Sequence, residues 1–369
     1  MDCISVINQK GGVGKTSTAV NLGAALAQRD KRMLLIDLDP QGHLTAHFGM
    51  DHAAAGAGIY EVLTRDLPLE SAMHPVSPNI TIIPAQIDLA AAEMELVSVV
   101  GREVILRDLL AGQDWPYDMV LIDCPPSLGV LTLNALAAST HVLIPLQPHF
   151  LALQGVSRLL DTVSLVSKRI NPKLKVAGMA MCMYEAGTRL AGEVGEDLAS
   201  FIAAARGTNV PWSNARIFNS KIRRNVKLAE APSYGQSIFG YAPRCNGAED
   251  YLNLGDELLA HLAAMSDTKV HDQPAAKPVM DVPAAVPIDP LPGPVPVVAE
   301  KPVHADIRNV VPVVAPAEAQ KAAPAVAVAE VQKVAPVAAP ADAKPKRRPP
   351  QPAVRKATEI PVAESVSSS

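Results

Sequence analysis

The chain has 369 residues with 33 basic and 37 acidic side chains, a formal net charge of −4, and 49% hydrophobic but only 4% aromatic residues. That length holds one large domain or two ordinary ones, and the near balance of charge excludes a uniformly basic nucleic-acid protein. No stretch reaches the roughly 18 uninterrupted apolar residues of a membrane span, and Cys3, Cys124, Cys182 and Cys245 are too scattered for a zinc site or a disulfide framework.

Proline divides the chain. Nineteen of the 33 prolines follow Ser266, whereas no Gly/Pro-dense run interrupts the first 265 residues. Residues 1–265 therefore read as one α/β domain, and 266–369 as a disordered Pro/Ala/Val-rich tail without aromatic residues to build a core. A basic cluster falls near 344–356, at Lys344, Lys346, Arg347, Arg348, Arg355 and Lys356. The N-terminus enters an apolar run at once, which leaves no room for a signal peptide. With four isolated cysteines the expectation is a reducing, cytoplasmic location.

The first elements in chain order are an apolar strand at Ile4–Ile7, a glycine-rich turn from Gln9 to Thr16, and a helix from Ser17 to Gln28. Glycines let consecutive backbone N–H groups turn inward, and the following helix adds the positive end of its dipole, so Gly11, Gly12, Val13, Gly14, Lys15, Thr16 and Ser17 predict a phosphate cradle. Lys15 would reach the terminal phosphates of a nucleoside triphosphate and the Thr16 hydroxyl would ligate Mg²⁺. The usual pattern G-x-x-x-x-G-K-S/T is not met, because Gln9 stands where its first glycine belongs and a second lysine, Lys10, lies inside the loop.

Lys31–Leu38 predicts a buried parallel strand ending in Asp37-Leu38-Asp39-Pro40-Gln41-Gly42, with both aspartates at its carboxyl end, where open α/β sheets bind ligands. Helices are expected at 61–65 and 89–110, with Glu93, Glu95 and Arg107 on solvated faces, and a strand at 79–84. Tyr117–Asp123 closes on Cys124-Pro125-Pro126, so Asp123 sits in the Walker B position for holding Mg²⁺. A strand at 140–148, a helix at 151–170 and a strand at 175–183 complete the alternation. The expectation is a doubly wound, mostly parallel sheet with helices on both faces, a P-loop NTPase. His43, His47, His141 and His149 lack metal-ligand spacing and read as structural or surface residues.

The two-lysine loop resembles the deviant Walker A loop of the ParA/MinD family of ATPases. The D-x-D-P-Q-G and D-x-P-P endings resemble the same family, and the run Ile222 to Gly235 (I-R-R-N-V-K-L-A-E-A-P-S-Y-G) resembles its ParA branch, with Arg223 where that branch commonly has proline. The resemblance implies an ATP-dependent homodimer in which Lys10 acts across the interface on the partner's phosphates. It also implies Asp39 near the attacking water and the magnesium shell, with Asp37 behind it as a metal-shell partner. It further implies slow ATP hydrolysis stimulated by a ParB-like or other partner, and nucleoid association through non-specific DNA.

One charge feature stands without the family: no acidic residue lies between Asp197 and Glu230, while Arg206, Arg216, Lys221, Arg223, Arg224 and Lys227 all do. Such a run predicts a positive stripe for phosphate backbones, with Arg244 added from the closing region. Other readings stay open: a positioning ATPase for a protein cluster rather than DNA, a metabolic P-loop enzyme that phosphorylates or amidates a small molecule, or a regulator that binds ATP without hydrolysing it. No amphipathic helix closes the chain, so no membrane cycle is expected.

Overall fold

Leucine- and isoleucine-rich runs without polar alternation are satisfied only inside a sheet covered on both faces, and the computed structural model places them there. The structure describes residues 1–51, 56–149, 152–187 and 189–271. Eight strands form one sheet: β1 (Asp2–Val6), β2 (Met33–Asp37), β3 (His74–Ser77), β4 (Ile80–Ile83), β5 (Met119–Asp123), β6 (His141–Leu146), β7 (Lys175–Met181) and β8 (Arg216–Ile217). Their order is β3-β4-β2-β5-β1-β6-β7-β8, parallel except for the antiparallel edge pair β3–β4. The doubly wound α/β fold expected from the sequence is the fold observed.

Alternate residues of each strand feed opposite cores. Leu34, Ile36, Val120, Ile122, Val142 and Ile144 face helices α3 (Ile59–Thr64), α5 (Ile105–Ala111), α6 (Val130–Ala138), α7 (Ala152–Arg169) and α8 (Arg189–Ala204). Met33, Leu35, Leu121 and Leu143 face α1 (Lys15–Ala27) and α11 (Asn246–His271). All these strand residues are fully buried or nearly so, and at about 1.5–3 kcal/mol per large apolar side chain the two cores dominate stability. Register aligns the carboxyl ends: Val6 and Asp37 both pair with Asp123.

Two expectations are corrected. The helix expected over 89–110 is α4 (Leu89–Glu95), a 3-10 turn at Leu96–Ser98, and then α5 after a break. Two β-branched residues, Val99 and Val100, precede Gly101 at φ 74°, a conformation that ends a helix. Glu93 does not lie on a solvated face either, whereas Glu95 is exposed as expected. Tyr60 Oη donates to both Glu95 oxygens at 2.9 and 3.1 Å, and the Glu93 carboxylate fills the space beside Gly129 where a Cβ would stand. The last helix among the described residues ends at His271, and the remaining tail with its basic cluster lies outside the described residues.

Candidate active site

The loop from Asn8 to Gly14 leaves the carboxyl end of β1 and turns into α1. Gly12 and Gly14 have φ of 71° and 95°, which L side chains adopt only with strain. Gly14 caps α1, its carbonyl accepting from Thr18 N–H at 2.9 Å. Asn8, which the sequence did not single out, pins the loop. Its buried amide donates to Pro145 O at 2.8 Å on β6, and its Oδ1 accepts from Lys10 N–H at 3.0 Å. Lys15 is buried and donates back to Lys10 O at 3.3 Å. Burial pushes its pKa down, and the nearby Asp123 and Asp39 charges oppose that shift.

The three aspartates have distinct surroundings. Asp37 is fully engaged: Oδ1 accepts from Asp39 N–H at 3.2 Å, and Oδ2 accepts from Thr45 N–H at 2.9 Å and Thr45 Oγ1 at 2.7 Å. These bonds tie β2 to the short helix α2 (His43–His47), so Asp37 positions the Asp39 turn. Desolvation, only partly offset by those donors, pushes its pKa up to about 6. Asp39 stands in the turn and accepts from Gln41 N–H at 3.0 Å.

Asp123 is the opposite case. It is wholly buried and neither carboxylate oxygen has a hydrogen-bond partner. Burial, then the Asp37 charge, push its pKa well above the carboxylate range, while the Thr16 side chain pulls the other way. A bare buried carboxylate beside a hydroxyl and a phosphate cradle is a donor set suited to Mg²⁺, a hard cation commonly held by one or two carboxylates plus substrate oxygens. Among the described residues no cluster of three or more His, Cys, Asp or Glu forms a metal cage of its own.

Lys10 is exposed at the rim, and its Nζ donates to His149 Nε2 at 2.8 Å. Two cavities flank the loop. One of about 470 Å³ is lined by Gly11, Gly12, Lys15, Thr16, Asp39, His43 and Pro126. The other, of about 370 Å³ and mainly apolar, runs from Gly14 and Ser17 to Cys182, Ile222, Val226 and Leu228. Thus His43 and His149, read from the sequence as surface or structural, stand at this site.

The basic run is less bare than its sequence suggests, because acids from elsewhere meet it. Arg223 lies on Asp250 and Glu249 at 2.5 and 2.9 Å, Arg224 on Glu185 at 2.5 Å, and Lys227 on Glu230 at 2.8 Å. Lys221 is part-buried, donating to Phe218 O at 3.2 Å, its Nζ 5.9 Å from the Tyr184 ring centroid. Arg216 lines a different cavity, and Arg244 is exposed. Three of the seven basic residues expected in the stripe, Arg223, Arg224 and Lys227, are thus ion-paired, although Arg224 keeps 61% of its side-chain surface.

Residues 1–176 match the family described as AAA domain. Over 259 residues the chain is 44% identical to the sporulation initiation inhibitor protein Soj of Bacillus subtilis, covering 70% of this chain and 98% of Soj. The chain belongs to the ParA/Soj family of partitioning ATPases. A further family member, the chromosome partitioning protein ParA of Myxococcus xanthus, is 43% identical, covering 70% of this chain and 87% of that protein. Among solved structures, cobyrinic acid a,c-diamide synthase from Mycobacterium smegmatis, with bound ADP and magnesium, aligns with a TM-score of 0.60 and 37% identity, covering 72% of this chain and 96% of that one. No helix among the described residues is long and apolar enough to cross a membrane.

Proposed function

We propose that this ATPase is a dimerising switch that binds non-specific DNA in its ATP state and hydrolyses ATP to segregate DNA or position another cargo. The observation that carries the reading is the pairing of a bare, buried Asp123 carboxylate with a glycine-lined cradle whose extra lysine, Lys10, is exposed at the rim. Gly11 to Ser17 hold the phosphates, and Lys15 neutralises the terminal ones. Thr16 and Asp123 would hold Mg²⁺, which would supply positive charge to offset the negative charge developing on the transferred phosphoryl group. Asp39 orients the attacking water. Asp37 fixes the Asp39 turn through Thr45.

Lys10 is held by His149 in the single chain and turns to the partner's phosphates when two copies close face to face. Loss of the terminal phosphate removes those cross-subunit contacts and weakens the dimer, so hydrolysis times release. Arg223, Arg224, Lys227 and Arg244 form the DNA-facing edge, and a ParB-like protein is the stimulating partner. The apolar cavity beside Gly14 and Ser17 takes the base of the nucleotide. Likeness to cobyrinic acid a,c-diamide synthase supports a second reading, ATP-driven amidation of a small molecule.

The two are separated by measuring DNA binding by the full-length protein with ATP, ADP or no nucleotide over a salt series. Binding that requires ATP and falls steeply with salt supports the switch. Binding indifferent to nucleotide, with ATP turnover appearing only when a small carboxylate acceptor and glutamine are added, would replace it with amidation.

A further inference from the structure

A second polar cavity, of about 370 Å³, lies away from the nucleotide edge, lined by Arg206, Ser213, Asn214, Arg216 and His261. Its place is set by β7. His261 on α11 donates from Nε2 to Ala177 O at 3.0 Å, near the amino end of that strand, whereas Cys182, just past its carboxyl end, borders the apolar cavity beside the P-loop. Five residues of extended strand separate the two places, about 16 Å.

Three features of this cavity need explanation. Neither Arg206 nor Arg216 makes an ion pair among the described residues, unlike Arg223, Arg224 and Lys227 in the same stretch. No carboxylate lines the cavity. His261 is 4% exposed, and its Nδ1, beside the Asn214 backbone, makes no well-formed hydrogen bond. Arg206 and Arg216 both line this one water-accessible space, an anion there would offset their like charges, and guanidinium forks match the oxygens of phosphate. The volume falls within the range of small-ligand sites.

We propose that this cavity is a second ligand site, taking a small phosphate-bearing dianion between Arg206 and Arg216 with His261 at its wall. The ligand is inorganic phosphate or a small phosphate monoester, and it is distinct from the nucleotide held by the P-loop. Burial first, and then the Arg216 charge, hold the His261 pKa below its ordinary value, while the Ala177 and Asn214 backbones and Glu257 push it up. A bound dianion would cancel the Arg216 effect, so the imidazole reports occupancy.

The test uses full-length protein with histidine carbon-labelled for NMR, kept saturated with ADP and Mg²⁺ so that the P-loop cannot take the probe. Inorganic phosphate and glycerol 3-phosphate are titrated separately, with acetate as a singly charged control. The expected result is a saturable shift of the His261 ring signals with one or both phosphates, a weaker response to acetate, and affinity lowered on the order of 10- to 100-fold in Arg206→Ser/Arg216→Ser. Whichever phosphate binds more tightly identifies the source. If that double variant fails to fold, Arg206→Ser alone, on an exposed side chain, should still weaken binding. Signals unmoved by either phosphate, or moved equally in wild type and variant, would overturn the proposal. A shift given by duplex DNA and by neither phosphate would also overturn it, making the cavity part of a nucleic-acid face.

Discussion

Asp37 and Asp123 stand side by side at the carboxyl ends of adjacent parallel strands, one carboxylate holding three protein donors and the other none. Their substitutions should therefore act in opposite directions. Asp123→Asn removes the cost of a desolvated, unpartnered acid and should raise the thermal midpoint of the nucleotide-free protein by on the order of 2–10 °C, while abolishing the extra stabilisation that Mg²⁺ adds to ADP. Asp37→Asn strips the Asp39 turn of its charged acceptor and should lower the midpoint by a similar amount. Melting curves with and without Mg²⁺ decide it, and an Asp123→Asn protein that melts lower would contradict the site.

The two loop lysines should separate binding from assembly. Lys15→Ala should abolish ATP binding. Lys10→Ala should keep ATP binding by the monomer, lose the ATP dimer, and lower stimulated turnover on the order of 10³-fold, as loss of a cross-subunit cation does elsewhere. Asp39→Ala should trap an ATP-bound dimer. Light scattering beside nucleotide binding reads all three, and normal dimerisation by Lys10→Ala would sink the cross-subunit role.

At the DNA edge the Arg224–Glu185 pair makes a two-sided prediction. Arg224→Ala should weaken binding to all duplexes alike and reduce the log–log salt slope by about 0.9 for each phosphate that the side chain neutralises. Glu185→Gln frees the guanidinium and should strengthen binding. Fluorescence anisotropy over a salt series checks both, and a change of sequence preference in Arg224→Ala would rule out backbone-only recognition.

Arg32 and Asp118 set an acid limit on stability. Asp118 accepts from the Arg32 guanidinium at 2.8 and 3.2 Å and from Arg32 N–H at 2.8 Å, joining the approaches to β2 and β5. The guanidinium, then the backbone N–H, hold its pKa down to about 2 against an ordinary 3.8. A depressed carboxyl adds stability that is complete above its ordinary value and lost as pH falls from about 4 towards 2. Solvent screening keeps the effect small. In Asp118→Asn the unfolding midpoint should lose that part of its pH slope, and an unchanged slope would refute the assignment.

The parallel strands were legible because a strand buried on both faces must be apolar throughout, as Leu34 to Ile36 and Val120 to Ile122 are. The edge was not. β3 contains Pro75 and alternates half-buried with exposed residues, and β8 is two residues long, so neither carries a strand pattern. The P-loop was legible because its chemistry is local, and Asp123 because it ends an apolar strand. Asn8 and His149 were missed because their hydrogen bonds join residues 137 and 139 apart, which leaves no local trace. For the same reason the basic run looked bare: Glu185, Glu249 and Asp250 reach Arg223 and Arg224 only through the fold.

Those long-range ion pairs also make the charge of residues 206–227 a property of time during synthesis. Translation delivers Arg206 through Lys227 before Glu230, Glu249 and Asp250 exist, so on the ribosome the six cations are met by Glu185 alone among their eventual partners. Until α11 emerges and docks, the nascent chain presents to nearby RNA a cationic segment that the finished protein neutralises at Arg223, Arg224 and Lys227.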